Sequence, residues 1–162
     1  MTTLAEAATS FVDIAHRIVW STVATVDRSN RPRSRTLHPI WQWDGESLVG
    51  WIATHATPVK RAHIAHSPYI SCGYWAPSQD TATAECRADW VPNQETRTMV
   101  WNLFKETPEP LGYDPGAIGV PGWDGPTSPA FSVLRLRPWR LRSLAGEHFL
   151  AGRFDLAVCW QE

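Results

Sequence analysis

The alternation of apolar and polar positions along the chain predicts short strands separated by a few helices. Residues 3–17 place apolar side chains at near-helical spacing, which predicts an amphipathic helix. Residues 19–26 and 47–54 alternate and are rich in β-branched types, a pattern typical of strands. Further strands are predicted at residues 31–41, 69–75, 81–91, 131–144 and 153–160, and further helices at residues 58–66 and from residue 93 or 94 to about 104.

Turn signals between the early strands indicate that neighbouring strands run antiparallel. Residues 27–31 contain Asp, Ser and Asn, and residues 43–46 contain an Asp-Gly pair, both of which are typical of hairpin turns. The element order therefore predicts a mainly-β (α+β) fold in which a small antiparallel barrel carries peripheral helices. We expect one domain over residues 1–162, because a chain of this length is too short for two comfortable cores.

Residues 107–129 interrupt the pattern with many prolines and glycines. We expect an ordered coil here rather than a flexible linker, because apolar residues are available to anchor the segment. These anchors are Leu111, Tyr113, Ile118 and Trp123. The segment, called the insertion below, is expected to fold over the barrel and cap a site, with padding of the barrel's outside or of a dimer interface as the alternative.

The predicted strand at residues 31–41 lacks the apolar face that a strand on a core normally shows. Arg33 and Arg35 share one face, while the opposite face carries Ser34, Thr36 and His38. Such a strand is suited to a polar ligand. For His38 the alternative is a barrel histidine whose hydrogen bonds are satisfied within the protein.

Charge is distributed unevenly, although the chain carries a net charge of only −1. Residues 28–79 contain six basic and two acidic residues, a local excess that predicts a bound anion of limited size. A near-neutral chain gives no general attraction to nucleic acid or membranes. A barrel that binds single-stranded nucleic acid through arginines and tryptophans is therefore disfavoured.

The cysteines and the chain ends indicate a cytoplasmic protein without a metal site. Cys72, Cys86 and Cys159 lack metal-type spacing and are expected to be reduced thiols used for packing. No apolar run is long enough to cross a membrane, and the start of the chain lacks the basic region of a signal peptide.

Lys60 is the strongest candidate for holding an anion. Thr57 is a good N-cap and Pro58 a good first helical residue, so Lys60 lies in the first turn of a helix, where a phosphate is favoured. An arginine inside a small barrel needs an anionic partner, and Arg35 would meet the same phosphate. Arg33 is expected to face solvent. The alternative for Lys60 is a solvated surface lysine.

Three stretches of this sequence together resemble a known superfamily. "TVATVDRSNRPRSRTLHPIW", "GWIATHATPVKRAHIAHSPYISCGYW" and "TATAECRADWV" are similar to the pyridoxamine 5'-phosphate oxidase-like, FMN-binding split β-barrel proteins, most closely to an uncharacterised actinobacterial branch. The resemblance covers residues 10–92 well and the final strand loosely. It implies a split barrel that forms a homodimer with two cofactor sites at the interface.

The same resemblance assigns roles to individual residues. Arg35 and Lys60 would hold the flavin phosphate, and Thr54 would contact the flavin at the end of the third strand. Trp75 would reach the site of the partner subunit. The residues along the isoalloxazine edge would be Thr36, Leu37 and His38.

Departures from the oxidase pattern argue against pyridoxamine phosphate as the substrate. Pro58 and Val59 stand where the oxidase has serine and arginine, Ile40 stands where it has a lysine, and the R-x-H pattern near the C-terminus is not evident. We therefore predict an FMN-dependent oxidoreductase acting on an unidentified small molecule, with its catalytic residues unassigned.

Two alternatives stay open beside FMN. One is an F420-dependent reductase, whose cofactor tail would use a basic groove of Arg28, Arg31 and Arg33. The other is a module that carries flavin or haem without turnover. Stacking on flavin or substrate, or else packing in the core, is expected for Trp41, Trp43 and Trp51.

Overall fold

The computed structural model describes residues 2–162 and contains one antiparallel sheet of eight strands. The strands follow the order β2-β1-β5-β6-β7-β4-β3, and β8 pairs with β7. This mainly-β arrangement with peripheral helices confirms the predicted split-barrel fold. The strands are β1 (Ser21–Val26), β2 (Pro32–Leu37), β3 (Ile40–Trp43), β4 (Leu48–Thr54), β5 (Tyr69–Trp75), β6 (Thr81–Trp90), β7 (Ser132–Leu144) and β8 (Val158–Gln161). The helices are α1 (Leu4–Ile18), α2 (Pro58–His66), α3 (Gln94–Glu106) and α4 (Gly146–Leu150), with a 3₁₀ turn at Phe154–Leu156.

Two of the predicted strands differ from the structure. The strand predicted at residues 31–41 is divided into β2 and β3 by His38 and Pro39, because proline cannot donate a hydrogen bond to a neighbouring strand. The strand predicted at residues 153–160 is also wrong in extent. Its first half forms the 3₁₀ turn, and only β8 pairs with the sheet. No helix among residues 2–162 has the length and apolar character needed to cross a bilayer.

The first apolar core lies between α1 and the sheet. Phe11 of α1 is fully buried and packs edge-on against Trp41 and Tyr74, with ring centroids 4.9 and 5.9 Å apart. Trp41 also donates its indole N–H to the Tyr74 hydroxyl at 2.8 Å. The packing alternative therefore holds for Trp41, as it does for Trp43, which packs against the same core.

The second apolar core joins α3, β4, β7 and the insertion. Trp101 and Trp123 both meet the buried ring of Phe131, at centroid distances of 4.9 and 5.2 Å. Trp51 belongs to this core as well, so packing is its role too. Because Trp123 belongs to the insertion, part of the coil between α3 and β7 lies in this core. The segment is therefore ordered, as predicted. Ile118 is the exception among the expected anchors, since it is 47% exposed.

The start of α2 follows the predicted capping pattern. Thr57 is the N-cap and accepts a hydrogen bond from the backbone N–H of Lys60 at 3.4 Å, and Pro58 occupies the first helical position. The helix ends at His66, and Ser67 is its C-cap before Pro68. Only three residues separate β4 from α2, so the first turn of this helix lies beside the end of β4.

Candidate functional site

A cavity of about 570 Å³ opens between the break that separates β2 from β3, the end of β4 and the insertion. Four of the predicted site residues line it: Thr36, Leu37, His38 and Thr54. The remaining wall is mostly apolar or aromatic. It consists of Trp20, Ala53, His55, Glu109, Pro110, Gly112, Tyr113, Ile118, Val120 and Trp123.

Lys60 is tied directly to this cavity. Its ammonium donates to the Thr54 hydroxyl at 2.7 Å and to the His55 carbonyl at 3.0 Å, and both acceptor residues line the cavity. Partial burial, reinforced by the charge of Arg35, lowers the pKa of Lys60 below its usual value. A lysine held in this way is not a freely solvated surface cation.

Arg35 is held by a single nitrogen of its guanidinium. Nη1 donates to the Thr25 hydroxyl at 2.7 Å and to the Arg33 carbonyl at 3.1 Å, with the Val23 carbonyl farther away at 3.4 Å. Burial, and secondarily the charge of Arg33, lowers the pKa of Arg35, although a guanidinium stays charged in proteins. Arg33 itself is exposed, as predicted.

Neither Arg35 nor Lys60 forms an ion pair with a carboxylate of residues 2–162. Each binds only neutral hydroxyl and carbonyl oxygens, and the charge of Arg35 further disfavours the charged form of Lys60. Two partly buried cations without a counter-charge are costly in the free protein. An anion that binds between them would remove this cost.

Two other basic residues of the segment have intramolecular partners. Arg31 forms an ion pair with Asp27, with Nε 2.8 Å from Oδ2. Arg61 donates to the Ala56 carbonyl and lies 5.5 Å from the ring centroid of Trp90. The other basic residues of the segment are exposed, so Arg35 and Lys60 are its only partly buried cations within residues 2–162.

His38 is buried, at 8% exposure, in an aromatic environment. Its ring lies 4.9 Å from Trp20, 5.8 Å from Phe104 and 5.3 Å from Tyr113, measured between centroids. Neither ring nitrogen forms a hydrogen bond of normal geometry to residues 2–162, so the satisfied barrel histidine is not what the structure shows. Burial lowers the pKa of His38, an effect that the backbone of Leu111 partly counters, and the imidazole is neutral at pH 7.

Several residues of the site were not predicted from the sequence. His55 stacks on Trp123 at a centroid distance of 5.9 Å, and both line the cavity. Thr25 and His63 lie behind Arg35 and form a hydrogen bond at 2.7 Å. One sequence signal could have indicated His63 as a site residue. It lies three residues after Lys60 on α2, so the two side chains are neighbours on the helix surface.

Trp75 does not line the cavity of its own chain. It is 58% exposed at the end of β5, where its indole N–H donates to Gln79 at 3.2 Å. Its contact with a partner's site stays a prediction. Cys72 and Cys86 are buried free thiols, Cys159 is exposed, and no cluster of metal-ligating side chains occurs within the part of the chain that the structure describes.

Gly112 is expected to be essential to the shape of the cavity wall. A Cβ at this position would overlap the carbonyl oxygen of Thr107, so Gly112→Ala must displace the backbone of the insertion. We expect a loss of roughly 1–3 kcal/mol in the free energy of unfolding, the usual cost of forced overpacking. Chemical denaturation will measure it. Gly125→Ala is the matched control, because a Cβ there meets open space, and a loss equal to that of Gly112→Ala would contradict the steric explanation.

No protein-family model and no curated protein matches the sequence. Solved structures do match. A pyridoxamine 5'-phosphate oxidase-related, FMN-binding protein from Nostoc punctiforme is 18% identical, with 88% of this chain and 82% of that chain aligned at a TM-score of 0.59. This chain therefore shares the split-barrel fold of that protein.

Two further solved structures share the fold but carry other cofactor descriptions. A haem-binding protein from Mycobacterium smegmatis is 19% identical, with 90% of this chain and 60% of that chain aligned at a TM-score of 0.54. An F420 reductase is 15% identical, with 79% of this chain and 92% of that chain aligned at a TM-score of 0.51. The fold thus occurs in proteins described by three different cofactors.

Proposed function

We propose that this chain binds FMN and acts as a flavin-dependent oxidoreductase on a small molecule other than pyridoxamine phosphate. The observation that carries the proposal is the pair of partly buried cations, Arg35 and Lys60, without a carboxylate partner and beside a largely apolar cavity. The FMN-binding protein from Nostoc punctiforme, which has the same fold, supports the choice of cofactor.

The residues present fit a flavin phosphate. Nε and Nη2 of Arg35 have no hydrogen bond to residues 2–162, and Lys60 uses two of its three N–H groups, so donors remain for phosphate oxygens. Two cations also match the two negative charges that a phosphate monoester carries at neutral pH. Arg35 is followed directly in the sequence by Thr36 and Leu37, which line the cavity.

A bound flavin would supply the hydride chemistry, and the residues of this chain would bind and orient it. Leu37 and the aromatic wall would exclude water from the ring. The neutral imidazole of His38 and the hydroxyl of Thr36 would offer polar contacts at the ring edge.

F420 fits this site less well. Its phosphate is a diester with one negative charge, and its longer tail would need an extended basic groove. Arg31, which such a groove requires, is instead paired with Asp27. These two features favour FMN among the cofactors associated with this fold.

Cofactor identification tests the proposal directly. Purified protein is titrated with FMN, riboflavin and FAD, and any co-purified cofactor is released and identified by mass spectrometry. We expect FMN to bind at least about tenfold more tightly than riboflavin, which has the same ring without the phosphate. Equal affinities for FMN and riboflavin would overturn the proposal, as would co-purified F420 or the Soret band of a bound haem.

A homodimer is proposed as the assembly that completes the site. Trp20 and Trp75 are 59% and 58% exposed at adjoining ends of β1 and β5, an apolar surface that a symmetric interface would cover. Light scattering at micromolar concentration should give about twice the chain mass of 18.2 kDa. A clean monomer would remove the proposed contact of Trp75 with a partner's site.

The affinity for FMN is expected to fall at alkaline pH because of Lys60. Partial burial lowers the pKa of Lys60, and a bound phosphate would stabilise its charged form. Affinity should therefore be full while Lys60 is protonated and should decline as pH rises through that lowered pKa, earlier than for an ordinary lysine.

Fluorescence titrations between pH 7 and 10.5 will measure this decline, with riboflavin correcting for ionisation of the ring. In Lys60→Arg the decline should disappear, because a guanidinium stays charged across this range. An unchanged decline in Lys60→Arg would assign the effect to another group.

A further inference from the structure

Thr25 and His63 form a buried connection behind the proposed phosphate site. Thr25 lies on β1, its Oγ1 is 2.7 Å from Nδ1 of His63 on α2, and the same oxygen is 2.7 Å from Nη1 of Arg35 on β2. Both Thr25 and His63 are buried. Three separate elements of the fold therefore meet at one hydroxyl group.

The direction of the hydrogen bond between Arg35 and Thr25 is fixed by chemistry. A guanidinium can only donate, so Thr25 accepts from Arg35. The Thr25 hydroxyl also forms a hydrogen bond with Nδ1 of His63, in which either group can be the donor, depending on the tautomer of the imidazole. The Thr25 oxygen therefore holds Nη1 of Arg35 and Nδ1 of His63 at the same time.

This connection determines which edge of the Arg35 guanidinium is available. Nη1 is fixed by Thr25 and by the Arg33 carbonyl, whereas Nε and Nη2 have no hydrogen bond to residues 2–162. Two adjacent N–H groups on one edge are the arrangement that binds two phosphate oxygens at once. Holding the guanidinium in this orientation beforehand lowers the entropic cost of binding.

The same connection also couples the two cations. His63 lies three residues after Lys60 on α2, while Arg35 lies on β2 of the first hairpin. The hydrogen bond between Thr25 and His63 therefore ties the hairpin that carries one cation to the helix that carries the other.

We propose that Thr25 and His63 are positioning residues, which orient Arg35 so that its free edge meets a phosphate monoester. This inference rests on the proposed FMN site. Neither residue is assigned a contact with the cofactor, so each acts only through Arg35.

The test compares FMN with riboflavin in variants of Thr25. Thr25→Val removes the hydroxyl and keeps the shape, and it should weaken FMN binding by about three- to tenfold while leaving riboflavin binding unchanged. Thr25→Ser keeps the hydroxyl and should restore FMN affinity to within about twofold. Thr22→Val on the exposed side of the same strand is the matched control and should change neither affinity.

A double-mutant cycle separates positioning from a general structural role. If Thr25 acts through Arg35, Thr25→Val should cost less than about twofold in FMN affinity when Arg35 is already alanine. An equal loss in both backgrounds, or a parallel loss for FMN and riboflavin, would overturn the inference.

A second variant keeps the inference testable if Thr25→Val folds poorly. His63→Asn retains a group near the position of Nδ1 that can accept or donate a hydrogen bond, and His63→Leu does not, so only His63→Leu should lose FMN affinity. Similar affinities in the two variants would overturn the inference. If the unaltered protein binds FMN and riboflavin equally, the proposed function fails, and the inference that rests on it fails too. If FMN is preferred but Thr25→Val keeps that preference, only the inference fails.

Discussion

Lys60→Ala is expected to weaken FMN binding by about ten- to a hundredfold, and Arg35→Ala by a similar factor. Each change removes a charge-assisted contact with the phosphate, typically worth ~1.5–3 kcal/mol. The fold should not suffer, because each variant also removes a partly buried cation without a counter-charge. Calorimetric titration with FMN, together with a thermal melt of each variant, will measure both effects.

Arg33→Ala provides the matched control on the same strand. Arg33 is exposed, and its side chain forms no hydrogen bond with residues 2–162, so its removal should change FMN affinity by less than about threefold. A larger loss in Arg33→Ala than in Arg35→Ala would show that the phosphate lies toward the other end of β2. Such a result would contradict the site as assigned.

Phe104→Ala is expected to cause the largest loss of stability, roughly 3–5 kcal/mol in the free energy of unfolding. Phe104 is fully buried on α3 and lies beneath the cavity, 5.8 Å from His38 and 5.1 Å from Tyr113 between ring centroids. Removing the ring leaves a void under both residues. The cavity wall should become less rigid together with the second core. Urea denaturation will measure the change in the free energy of unfolding.

Met99→Ala on the same helix controls for helix propensity and side-chain truncation. Met99 is exposed, so its replacement should change the free energy of unfolding by no more than about 0.5 kcal/mol. A loss of less than about 1 kcal/mol for Phe104→Ala would show that the second core can close around the missing ring.

Local signals were sufficient where neighbouring residues decide the structure. The second helix was predicted correctly because Thr57 and Pro58 define its start and the Ser67-Pro68 pair its end. The strand at residues 69–75 was predicted correctly from its first residue to its last, since its alternation is bounded by a proline and a turn. Arg35 and Lys60 were singled out from the sequence, the first by its unusual strand and the second by its position in a helix, and their contact with a phosphate stays a prediction.

Features that depend on distant contacts were not accessible in this way. Residues 153–160 alternate like a strand, but only β8 pairs with β7, and the residues before β8 form the 3₁₀ turn. The side chain of Arg61 lies over the ring of Trp90, a residue far away in sequence, and no local pattern predicts this contact. The partnership of Thr25 with His63 joins residues 38 positions apart, and no local pattern records it.

Different residues of the insertion anchor it to the core and face the cavity. Trp123 is fixed in the second core, whereas Ile118 lines the cavity while remaining 47% exposed. Natural variation at Ile118 can therefore reshape the entrance without weakening the fold, in contrast to variation at Trp123. Under the proposed function, we therefore expect substitutions at Ile118 to change which small molecules enter the cavity while leaving the free energy of unfolding nearly unchanged.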